Sequence, residues 1–209
     1  EILIYSLLII SSRFLYNLKK TKNFKNIIAL FLISNLLIWI KSEGLVFAVI
    51  LMTILTLNKK IIFPKKIIIF VTLIFIIFFK KITYVYLNFD AVNQPYYNLD
   101  FLFSLDFEEI LSRIGNIVFY LAYYSLKNFI FFLGVITLIF INFNRVDKID
   151  ITIFNYYFLF NLLFIFCAYL FREMEIIYSL RTTMDRIIFL SSGFYLYLVI
   201  LFIRKRLKI

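Results

Sequence analysis

The chain has 209 residues, of which 64% are apolar and 21% aromatic, with a formal net charge of +11. A soluble domain is about 45–50% apolar, so an excess of this size has to face lipid, and the composition excludes an ordinary water-soluble fold. There is no histidine and a single cysteine, Cys167, which removes histidine-based metal sites, histidine general bases and internal disulfides.

In chain order the apolar runs are Ile2–Leu18, Ile27–Ile40, Leu45–Leu57, Ile67–Phe79, the mixed run Phe107–Leu126, then Phe129–Phe143, Ile151–Phe171 and Ile187–Ile203. Only a helix satisfies its own backbone in lipid without closing a barrel. The expected fold is therefore all-α, a polytopic transmembrane bundle of about seven spanning helices plus one interfacial helix. Residues 1–209 read as a single membrane domain, with no linker and no internal repeat. The chain opens inside an apolar run and without methionine, and it is expected to be the C-terminal part of a longer protein.

The short segments Lys19–Asn26, Asn58–Lys66, Asn144–Lys148 and Arg204–Lys208 are basic. Placing them together in the cytoplasm satisfies the positive-inside rule and puts the C-terminus there. The basic residues are thus topology signals and contacts to membrane lipids; no basic stripe interleaved with exposed aromatics points to nucleic acid. The alternation closes only if Phe107–Leu126, with Glu108, Glu109, Arg113 and Asn116 near its front, stays at the outer interface. Lys80 and Lys81 then fall on the outer side, against the rule. The outer side collects Glu1, Lys41–Gly44, the long polar stretch Lys80–Asp106 and Arg172–Arg186. Its carboxylates Asp90, Asp100, Asp106, Glu108 and Glu109 have no metal-ligand spacing, so no metal site is expected.

Lys41, Ser42 and Glu43 interrupt an otherwise apolar stretch, Ile27–Leu57. A straight helix of that length would be about 46 Å long and would hold charges at its centre, each costing about 2.5–3.5 kcal/mol. A break at Lys41–Gly44 removes that cost by placing the charges at the tip of a helical hairpin, with Gly44 supplying the permissive backbone. The tip is either a solvated turn or the edge of an outer cavity. Farther along, "TTMDR" carries Thr182, Thr183, Asp185 and Arg186. A threonine there is placed to cap a helix beginning near Met184. Neighbouring residues on a helix diverge, so Asp185 and Arg186 are not expected to pair with each other. Arg186 either snorkels to headgroups or clamps a lipid phosphate with Arg181.

"WIKSEGLVF" resembles the lysine–x–glutamate–glycine signature of bacterial membrane glycosyltransferases of the GT-C superfamily, similar to dolichyl-phosphate-mannose protein mannosyltransferases. "YSLRTTMDRIIFL" resembles a late segment of the same proteins through Thr182, Thr183, Asp185 and Arg186; where they often carry histidine this chain has Arg181 or no counterpart. The resemblance implies a hexosyltransferase that moves a sugar from a polyprenyl-phosphate donor to an acceptor on the outer face of a bacterial inner membrane. It implies donor binding by Lys41, Glu43, Arg181, Asp185 and Arg186. The catalytic carboxylate of that superfamily lies in a first outer loop without counterpart here, so the chain alone is expected to be inactive, and no cofactor is assigned. The alternative reading is a polytopic transporter or flippase of lipid-linked sugars or polysaccharide; it calls for polar residues inside the helices, whereas this chain gathers its charges at one face.

Overall fold

The computed structural model describes residues 1–20, 24–57, 63–87, 105–144, 150–172 and 175–207. These residues form eight helices: α1 (Ile2–Lys20), α2 (Phe24–Ile40), α3 (Ser42–Leu57), α4 (Phe63–Tyr86), α5 (Phe107–Lys127), α6 (Phe129–Asn144), α7 (Thr152–Leu170) and α8 (Ile176–Arg206). No strand occurs among the described residues. The turn-rich part of the long polar stretch, including Asp90 and Asp100, lies outside them.

Three helices are long and apolar enough to cross a membrane: Lys66–Tyr86, Thr152–Leu170 and Ile176–Arg206; counting α5 and α6 as one bent span makes four. This corrects the expectation of about seven. The reason is length. Ile2–Leu18, Phe24–Ile40 and Ser42–Leu57 are apolar but only 10–17 residues long, and a helix of 17 residues reaches about 25 Å against a hydrocarbon core of about 30 Å. The protein is an integral membrane protein whose short helices pack around the long ones.

The centre of the bundle is α8. Its buried side chains include Leu180, Met184, Ile187, Ile188, Ser191 and Tyr195, a stripe at helical spacing. Around it sit α1, α6 and α5, and α7 packs more lightly. Gly193 permits a close approach: a Cβ there would lie 2.5 Å from the Tyr5 carbonyl oxygen of α1, too near for any other residue. Beside it, Tyr157 of α7 stacks on Phe194 with centroids 3.8 Å apart. Asn142 and Asn155 exchange amide hydrogen bonds of 3.1 and 3.2 Å, tying α6 to α7.

The chain breaks at Lys41, between α2 and α3, as the charge argument requires. Gly44 contributes differently from expectation. It lies inside α3, and a Cβ there would fall 2.2 Å from the Leu37 carbonyl oxygen. Its small size lets α3 fold back tightly on α2; no unusual backbone angle is involved. Lys80, the apparent exception to the charge rule, also has a local cause. It is buried, donates to the Ile38 carbonyl at 2.5 Å and lies over the Tyr84 ring. A cation is favoured at the C-terminal carbonyls of a helix, and α2 ends two residues later.

The helices α5 and α6 meet at 101° across Asn128. Asn128 uses its side chain to cap the new helix, accepting from the Phe131 N–H at 3.0 Å. One side of α5 is buried through Arg113, Ile117 and Tyr124, while Leu111, Val118, Phe119 and Tyr123 are exposed.

Candidate functional site

The first part of α8 is helical from Ile176, so Thr182, Thr183, Asp185 and Arg186 lie within the helix. This corrects the expected helix start near Met184, and neither threonine is a cap. Thr182 donates to the Tyr178 carbonyl and Thr183 to that of Ser179, at 2.9 and 2.8 Å. The Thr183 hydroxyl also bonds the Tyr169 hydroxyl of α7 at 2.7 Å. Helix α8 is 31 residues long, about 46 Å at 1.5 Å per residue. It exceeds the hydrocarbon core by roughly 16 Å. That surplus lets a polar first segment stand beyond the lipid.

Spacing then sorts the side chains. Leu180, Met184, Ile187 and Ile188 face the core, whereas Arg181, Thr182 and Asp185 are exposed on the other side with Arg186 at the margin. That outer face forms one wall of an open cleft of about 560 Å³. The opposite wall comes from Tyr124, Lys127 and Asn128 at the α5–α6 corner, and Glu1 also lines the cleft.

The ion pairs divide as the divergence of neighbouring residues requires. Arg186 Nη2 reaches Glu43 Oε1 at the start of α3, joining the two segments singled out in the sequence. Glu43 is largely covered, with a side-chain exposure of 13%, and Arg186 is at 35%. Asp185 instead faces Lys127 at 3.9 Å, with both side chains more than half exposed. Arg181 donates from Nε to the Tyr120 hydroxyl at 2.8 Å, and the Tyr124 hydroxyl donates to the Arg181 carbonyl at 3.1 Å. Two tyrosines one turn apart on α5 thus fix one arginine on α8.

Of the residues proposed from sequence, Arg181, Asp185 and Arg186 line the cleft and Glu43 holds Arg186 from behind. Lys41 does not join them: it is exposed at the α2–α3 break and outside the cleft lining. Lys41 stands at the tip where α3 folds back on α2 and is exposed, while Glu43, in the first turn of α3, is largely covered. Lys127, Tyr120, Tyr124 and Asn128 escaped the sequence reading. Their signal was present, since Lys127–Asn128 is the single polar break between two apolar runs and the tyrosines recur at i and i+4.

Outside the cleft, Arg113 is buried and donates to the Arg172 carbonyl at 3.1 Å, with Glu109 at 3.5 Å. This clasp anchors α5 to the end of α7. Cys167 is half-buried on an apolar groove between α3 and α7, with Val46, Ile50 and Phe164. Among the described residues no group of three histidine, cysteine, aspartate or glutamate side chains is placed to hold a metal ion. No protein-family model matches the chain, and no characterised protein or solved structure matches it.

Proposed function

We propose that the chain is the membrane portion of a GT-C-like glycosyltransferase, in which the cleft receives the phosphate of a lipid-linked sugar donor at the outer face of a bacterial inner membrane, with the C-terminus cytoplasmic. The observation that carries this reading is the Glu43–Arg186 ion pair. It links the two segments that resemble the superfamily, and it does so at the wall of a cleft that also holds Arg181. Guanidinium groups suit the task because their planar donor forks match phosphate oxygens and keep their charge at any working pH.

In this reading the roles divide. Tyr120 orients Arg181, whose remaining N–H groups meet the phosphate. Glu43 orients Arg186 and partly neutralises it, which keeps the resting site from holding any passing anion too tightly. Sugar transfer itself needs a general base that these residues do not supply. The test is binding of a polyprenyl monophosphate to the protein in lipid nanodiscs. Arg181→Ala and Arg186→Ala should each weaken binding about tenfold, at the low end for a lost charged hydrogen bond because the site is open to solvent. Arg206→Ala, at the other end of α8, removes the same charge and should leave binding within twofold. Equal losses in all three variants would reduce the effect to bulk charge and sink the proposal.

A further inference from the structure

Arg181 and Asp185 stand at i and i+4 on the exposed face of α8. Opposite charges at this spacing can pair, though less well in this order, with the base N-terminal to the acid. Here they turn apart: Arg181 is drawn to Tyr120 at 2.8 Å, and Asp185 leans to Lys127 at 3.9 Å. The first interaction leaves the arginine with its full charge, since a phenol is neutral. The second is long and more than half exposed on both sides, and such pairs contribute little and open readily. Glu43, by contrast, is covered and committed to Arg186. The cleft therefore offers a cation and a carboxylate one helical turn apart, each turned away from the other, on a lining shared with Glu1, Lys127 and Arg186.

A purely anionic ligand would meet Asp185 at a cost, because a carboxylate beside a phosphate repels it. From this arrangement we infer that the cleft recognises a zwitterion: a phosphate ester that carries a primary amine a short spacer away. The phosphate lies on Arg181, and the ammonium takes the place of Lys127 at Asp185. A phosphoethanolamine headgroup, with a two-carbon spacer, is the simplest ligand that carries both charges. The inference rests on Arg181 of the proposed anion site, and it makes an amine-bearing phosphate ester the better ligand there because a polyprenyl monophosphate leaves Asp185 unmatched.

The experiment is competitive lipid binding by native mass spectrometry of the full chain in detergent, with phosphatidylethanolamine, phosphatidylglycerol and phosphatidylcholine of identical acyl chains. Phosphatidylethanolamine should bind about tenfold tighter than phosphatidylglycerol, and its trimethylated counterpart phosphatidylcholine should lose most of that advantage. Asp185→Asn should reverse the order, with phosphatidylglycerol gaining, and Asp185→Glu should restore it. Thermal unfolding of each variant checks that the fold is unchanged, since Asp185 is exposed. Soluble phosphoethanolamine should displace the lipid at millimolar concentration; failure to do so would mean that the acyl chains carry the binding and would overturn the inference. An unchanged lipid order in Asp185→Asn would overturn it as well. A preference for phosphatidylglycerol that depends on Arg181 would overturn the zwitterion and leave the anion site standing, whereas lipid binding indifferent to Arg181→Ala would remove both.

Discussion

Breaking the Glu43–Arg186 pair gives the most direct measure of how the hairpin of α2 and α3 is held to α8. Truncating one partner of a fully buried ion pair costs about 3–5 kcal/mol, because the other charge is stranded. A fully exposed pair is worth about 0–1 kcal/mol. With Glu43 at 13% and Arg186 at 35% exposure, this pair sits nearer the buried limit on one side only. We expect Glu43→Gln to destabilise by about 2 kcal/mol and Arg186→Gln by a similar amount. In the double variant both charges are gone together, so the coupling energy should be about 1.5 kcal/mol. The assay is reversible unfolding in mixed detergent micelles, followed by fluorescence of Trp39, the one tryptophan, which lies edge-on to Phe79. The same cycle on Lys127 and Asp185 serves as the internal comparison and should give less than about 0.5 kcal/mol. A coupling for Glu43 and Arg186 as small as that would refute the reasoning and reduce the pair to a surface contact.

The glycines separate cleanly. Gly193→Ala should destabilise by about 1–3 kcal/mol through overpacking against α1, while Gly115→Ala, with open space at its Cβ, should stabilise by up to about 1 kcal/mol; denaturation of the two variants side by side decides. Lys80→Met keeps the aliphatic stem but loses the bond to the Ile38 carbonyl, and should cost about 1.5–3 kcal/mol and raise hydrogen exchange in the last turn of α2. For topology, a thiol reagent applied from outside the cell should modify Ser42→Cys in a Cys167→Ser background and spare Lys60→Cys; outside labelling of position 60 would reverse the proposed orientation.

The helical class and most helix boundaries were legible because apolar runs and charged breaks report directly on burial in lipid. The Lys41 break follows from the cost of a charge in hydrocarbon, and it lies where that cost demands. The number of spans was less legible, since hydropathy records how apolar a run is and is nearly blind to whether it reaches across. The start of α8 was missed because "REMEIIYSLRTT" is polar enough to read as a loop, although Leu180 and Met184 continue the buried stripe upstream of Ile187. The partners of Arg181 and Asp185 were illegible for another reason. They depend on the 101° corner at Asn128, which sets Tyr120, Tyr124 and Lys127 opposite α8, and no local pattern encodes that angle. Lys80 shows the reverse case, where a residue that breaks a sequence rule satisfies a stronger local one.

The close contact of Gly193 with α1 lies near the middle of α8, and its mechanical meaning goes beyond packing. Arg181 stands twelve residues before that point and Lys205 twelve after it, so each lies about 18 Å away along the axis. A rod held at its middle works as a balanced lever. A tilt of about 5° around Gly193 moves the cleft wall and the basic end in opposite directions by roughly 1.6 Å each. If α8 pivots there when the proposed ligand closes the cleft, Arg204, Lys205 and Arg206 would swing the opposite way at the far end, and a pull on those cations by anionic headgroups would press on the cleft in return.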